Sequence, residues 1–137
     1  MANVRLAMII RKDLQLSEGL LAAQSFHVGM EWLRQMVLGN IKIDPTVSAK
    51  SSHINLSCES IDWMESPYVA VLGVYTYEEL QHVRHLAEEY SVPYTNWRDT
   101  IPSKAFEGQV FDTDVGLSLG PSDNDAIRKV SGTLPLY

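Results

Sequence analysis

The chain has 137 residues, with 11 Lys plus Arg against 17 Asp plus Glu for a formal net charge of -6, a length that predicts one domain over residues 1–137. Hydrophobic residues make up 45% and charged residues 20% of it, proportions that support one core and exclude disordered, collagen-like and coiled-coil chains. The acidic balance works against general binding of polyanions, because phosphate contacts need Lys or Arg gathered locally.

The aliphatic run VRLAMIIR at 4–11, followed by the charged turn RKDLQLSEG, predicts a first, buried strand. Ser17 is placed to cap the helix that follows, Glu18 sits at its positive end, and Leu21, Val28, Trp32 and Met36 recur at helical spacing to about Leu38, where Gly39 is expected to stop it. Residues 41–67 are polar and serine-rich and predict a long connection with one short helix. Residues 68–75 predict the second strand. Thr76 with Glu79 makes a capping box for a helix through Tyr90, whose apolar face would be Leu80, Val83, Ala87 and Tyr90. YTNWRD predicts a short third strand, TIPSKAFEGQ a loop, and VFDTDVGLSLG a fourth strand ended by Gly120 and Pro121. Ser122, with Asp123 and Asp125 in the first turn, starts the last helix through Val130. Strands alternating with helices predict an α/β fold: a three-layer α/β/α domain with a small four-stranded mixed sheet.

The longest apolar runs fall well short of the roughly 20 residues that a membrane-spanning helix needs. The N-terminus carries no pattern of a secretory signal, and the single cysteine, Cys58, allows neither an internal disulfide nor a thiolate metal site. These features predict a cytoplasmic protein without membrane contact.

Leu20, Gln24, His27 and Glu31 share one face of the first helix, near the mouth of a strand-to-helix turn, where open α/β sheets bind ligands. His27 suits a general base and Gln24 suits orienting a water or a carbonyl. On spacing alone the plainer alternative has more weight: a buried, hydrogen-bonded His27 beside a solvent-facing Gln24. Asp99 follows the third strand and is either a catalytic carboxylate at the sheet edge or a loop cap. His82 and His85 have metal-ligand spacing but oppose the apolar face of their helix, which predicts solvated side chains. Asp112 and Asp114 alternate along a strand, as paired carboxylates or an exposed face both would. No metal site and no cofactor is expected. The chain has no GxGxxG and no Gly-rich phosphate loop.

RKDLQLSEGLLAAQSFH, from Arg11 to His27, resembles the signature of the type 2 peptidyl-tRNA hydrolases, in which an R-x-D-L turn leads through GKGK into an AAQ-x-x-H helix. SIDWMESPYVAVLGVYTYEEL, YSVPYTNWRD and LGPSDNDAIRKVSGTLPLY are similar to later parts of that family in the same order, so the resemblance covers nearly the whole chain. It implies a small α/β domain, often a homodimer, that cleaves the ester between a peptide and the 3′ end of tRNA without metal or organic cofactor, with peptidyl-tRNA as partner. The retained polar positions are Gln24, His27 and Asp99. Where the family has the two lysines of GKGK, this chain has Glu18 and Leu20, which makes the mouth more negative by three charges and removes phosphate contacts. The family's D-A-G-R-T becomes Asp99, Thr100, Ile101, Pro102 and Ser103, with Ser103 standing for the threonine and Arg98 or Lys104 for the missing cations. The family's later threonine falls on Val115 when counted back from Gly120, with Thr113 two residues earlier on the same strand. Two other functions remain open on these residues: a non-catalytic binding or regulatory domain on the hydrolase scaffold, and a hydrolase of another, less anionic ester or amide.

Overall fold

The computed structural model describes residues 4–43, 52–54, 57–102 and 110–137. Four strands, β1 (Val4–Arg11), β4 (Val69–Val74), β5 (Tyr94–Pro102) and β6 (Val110–Asp123), form one sheet in the order β4-β1-β6-β5. β1 runs parallel to β4 and antiparallel to β6, and β5 runs antiparallel to β6. The sheet is therefore mixed, as expected. β1 is central and covered on both faces, which is why its sequence reads as an almost unbroken aliphatic run.

Helices α3 (Tyr77–Glu89) and α4 (Asn124–Ser131) cover one face. They bury Leu80, Val83, Ala87, Ile127 and Val130 against Ala7, Ile9, Leu117 and Leu119 of the sheet. Helix α1 (Glu18–Asn40) lies on the opposite face, where the Ser118 hydroxyl of β6 donates to the backbone carbonyl of Val28. Helix α2 (Cys58–Glu65) sits beside α1 through an edge-to-face contact of Trp32 with Trp63, 5.3 Å between ring centroids. These are the three layers the sequence predicts. A smaller apolar cluster of Leu14, Ile101 and Val115, flanked by Leu16 and Trp97, closes the end of the sheet next to the β1–α1 turn.

Several boundaries depart from the expectation. The connection at 41–67 holds the short helix α2, capped by Ser57, but also a two-stranded ladder of β2 (Ile41–Ile43) and β3 (Ser52–Ile54). α1 continues through Gly39. Tyr90 is 45% exposed and so does not belong to the buried face of α3. The Thr76 hydroxyl accepts from the Glu79 N–H at 3.0 Å as a cap should, while the Glu79 carboxylate turns back to the N–H of Tyr75. β5 continues through Thr100, Ile101 and Pro102, three residues expected in a loop. β6 continues past Gly120 and Pro121, pairing Ser122 with Arg5 and Asp123 with Val4, because Gly120 takes φ +101°, a conformation that glycine adopts without side-chain strain. The cap of α4 is consequently Asp123, whose carboxylate accepts from the Asp125 N–H, and not Ser122.

The last residues lie along β4. Leu136 bridges Leu72, the Tyr137 N–H donates to the Val71 carbonyl, and the Gly73 N–H donates to the Pro135 carbonyl, both at 3.0 Å. Lys12 lies between the rings of Tyr75 and Tyr137, its amine 5.2 and 5.3 Å from their centroids.

Candidate active site

The β1–α1 turn is fixed by Arg11. Its guanidinium holds Asp13 through two hydrogen bonds, of 3.1 and 2.7 Å, and reaches across to β6, donating to the Thr113 hydroxyl at 2.8 Å and to the Asp114 carbonyl at 3.1 Å. A nearly buried guanidinium is costly unless its donors are satisfied, and here four bonds engage all three of its nitrogens. The turn that launches α1 is thus tied to the far strand of the sheet.

Two pairs of residues then meet beside it. Gln24 and His27, one helical turn apart on α1, face Trp97 and Asp99, which alternate onto one face of β5. The indole N–H of Trp97 donates to Gln24 Oε1 at 2.8 Å, and Gln24 Nε2 donates to Asp99 Oδ2 at 3.0 Å. Because an indole nitrogen can only donate, Trp97 dictates which way round the Gln24 amide lies, and so aims its NH₂ at the carboxylate. The other Asp99 oxygen accepts from the Thr100 N–H at 2.8 Å. The His27 ring stacks on Trp97, with 4.9 Å between centroids and 10° between planes. Gln24 is 3% exposed, His27 is exposed and Asp99 is partly exposed. The expectation of a buried His27 and a solvent-facing Gln24 is therefore reversed: the amide forms the floor and the imidazole stands on the tryptophan.

Thr113 is buried and lies directly across the β5–β6 ladder from Asp99. Val115 packs with Leu14 and Ile101. The register passes from Trp97 opposite Gly116 to Arg98 opposite Asp114, leaving Val115 as the extra residue of a bulge. Leu20 is partly buried, one turn of α1 before Gln24. Arg98 is not brought to this group. It pairs with Asp112 at 3.2 Å and with Asp114 at 3.6 Å, and Asp114 is also held by Arg84 of α3. The hydrogen bonds that Arg98 donates to the Asp112 carboxylate raise the Arg98 pKa above its ordinary value. Ser103 and Lys104 lie outside the described residues. His82 and His85 are exposed, and no group of three potential metal ligands occurs among the described residues.

A profile of the family described as peptidyl-tRNA hydrolase PTH2 matches residues 4–137. The chain belongs to the PTH2 family. A solved structure of a protein of unknown function from Agrobacterium tumefaciens strain C58 has a similar fold, with a TM-score of 0.54 at 16% identity, the match covering 100% of this chain and 99% of that one. In this PTH2 member Glu18, exposed in the first turn of α1, and Leu20 stand where the family resemblance places lysines. Glu18 favours the helix through its dipole but opposes an approaching phosphate.

Trp97 and Arg11 are the parts of the site that sequence reasoning missed. The signal for Trp97 was its two-residue spacing from Asp99 on a strand, which puts both on one face. For Arg11 it was the R-x-D pattern at the end of β1, which pairs a guanidinium with a carboxylate two residues later.

Proposed function

We propose that this chain hydrolyses the ester joining a peptide to the 3′ end of tRNA, with Asp99 as the group that holds and deprotonates the attacking water. The observation that carries this reading is the oriented chain Trp97–Gln24–Asp99, in which each donor has one acceptor and the carboxylate keeps a solvent-facing side. The water oxygen attacks the ester carbonyl carbon, its proton passes to Asp99, and the ribose oxygen leaves with a proton to give a free carboxylic acid and a free 3′-hydroxyl. Gln24 has a second Nε2 hydrogen to offer the carbonyl oxygen as negative charge develops there. The Thr113 hydroxyl, whose oxygen is taken by Arg11, has its proton free to donate beside Asp99. His27 lines the approach from its place on Trp97. Ser103 is assigned to orienting the ester and Lys104 to the acceptor-stem phosphates; Arg98 serves a phosphate only on leaving Asp112.

The test is release of free tRNA from an N-blocked aminoacyl-tRNA. Wild type releases tRNA, and Asp99→Ala slows release by roughly 10²- to 10⁴-fold, the usual contribution of a positioned proton acceptor. An unchanged rate in Asp99→Ala would remove Asp99 from the chemistry. The exchange of lysines for Glu18 and Leu20 favours a second reading, a scaffold that has lost tRNA cleavage or acts on a less anionic ester. If wild type is inert and Leu20→Lys restores release, the site is a disabled PTH2 site. If neither variant nor wild type releases tRNA, the proposal fails, and cleavage of small uncharged esters then distinguishes another hydrolase from a binding domain.

A further inference from the structure

Four of the chain's six arginines are held by carboxylates: Arg11 by Asp13, Arg34 by Glu31, Arg84 by Asp114 and Arg98 by Asp112. The other two, Arg5 and Arg128, have no carboxylate partner among the described residues. Both line one cavity of about 380 Å³ between the start of β1 and α4. In a chain with 17 acidic residues, no carboxylate among the described residues lines that cavity.

Its construction suits an anion with an apolar body. The Arg5 guanidinium lies over the Tyr68 ring, its central carbon 3.8 Å from the centroid, a cation–π contact that leaves N–H donors for an anion. Asn124 and Arg128 lie one turn apart on α4 and line the same space, which puts it within reach of an amide and a second guanidinium. The floor is apolar, formed by Leu6, Ala70 and Ile127. Two guanidinium groups match the charge of about -1.5 to -2 on a phosphomonoester at neutral pH better than the single charge of a carboxylate. The volume falls within the range of small-ligand sites, about 300–1,000 Å³. Arg5 stands six residues before Arg11 on β1, about 20 Å along the strand from the turn that borders the Asp99 site.

We propose that this cavity binds a small phosphomonoester with an apolar or aromatic body, at a site separate from Asp99. Adenosine monophosphate, inorganic phosphate and adenosine are the probes, each titrated into the full-length protein and followed by amide NMR shifts. Adenosine monophosphate produces saturable shifts centred on Arg5, Tyr68 and residues 124–132. Inorganic phosphate perturbs the same residues more weakly, and adenosine, lacking the phosphate, binds at least roughly tenfold more weakly than the monophosphate. Arg128→Gln, at an exposed position that does not threaten folding, weakens adenosine monophosphate binding by roughly tenfold or more, and Arg5→Gln does the same. The proposal is overturned by the absence of saturable shifts up to about 10 mM ligand, by shifts centred on Gln24 and Asp99 instead, or by undiminished affinity in folded Arg128→Gln.

Discussion

The same four strands present different chemistry to their two covering layers. Towards α3 and α4 they offer Ala7, Ile9, Leu117 and Leu119, packed on Leu80, Val83, Ile127 and Val130. Towards α1 they offer Trp97, Asp99 and Ser118, each bonded through a polar atom to a named partner on the chain. Burial of apolar surface is nearly non-directional and scales with area, so the first face tolerates rearrangement. Buried polar atoms are directional and expensive when left alone, so the second face has few equivalent arrangements. The larger apolar cluster lies on one face, and pre-organised polar chemistry, with a smaller cluster beside it, on the other.

Substitutions on each face put that contrast at risk. The largest stability loss is expected from Leu80→Ala, a fully buried residue on the inner face of α3. Loss of its contacts and the resulting cavity should cost about 2–5 kcal/mol in urea unfolding, while the protein that remains folded keeps its activity. Equal loss of specific activity in the folded fraction would mean that the faces are coupled. Trp97→Phe keeps a ring under His27 but removes the donor to Gln24 Oε1. A buried acceptor left without its donor should cost about 1–3 kcal/mol, and tRNA release should fall together with stability because the Gln24 amide is no longer aimed. Retained activity would show that Asp99 needs no such orientation. Thr76→Ala, which removes only the α3 cap on the exposed side, should cost about 1 kcal/mol, read as a lowered Tm with no change in release.

The apolar face was the more legible of the two in the sequence. Leu80, Val83 and Ala87 lie at helical spacing, and the aliphatic run of β1 can only be a buried strand or a short buried helix segment. Tyr90 failed as part of that stripe because the helix ends at Glu89 before carrying it round. The three-residue strands β2 and β3 are too short for any period to register. For the polar face, periodicity gave Gln24 and His27 a common side of α1 but no depth. Depth is decided by Trp97, which accepts the imidazole on its face and takes the amide at its edge. The bulge at Val115 has no signature in composition either, and it alone decides that Thr113, and not Asp114, stands across from Asp99. Residue types with a role were readable; the partner of each hydrogen bond was not.

The C-terminal residues on β4 bear on solubility. β4 ends the order of the sheet, and an end strand with bare N–H and C=O groups is a template on which another chain can add its own strand. Pro135 and Tyr137 occupy the Gly73 N–H and the Val71 carbonyl that such a neighbour would use, with Leu136 set against Leu72 between them. Removing those three residues would therefore open a place for intermolecular strand addition, and the resulting damage would be measured in light scattering before it was measured in catalysis.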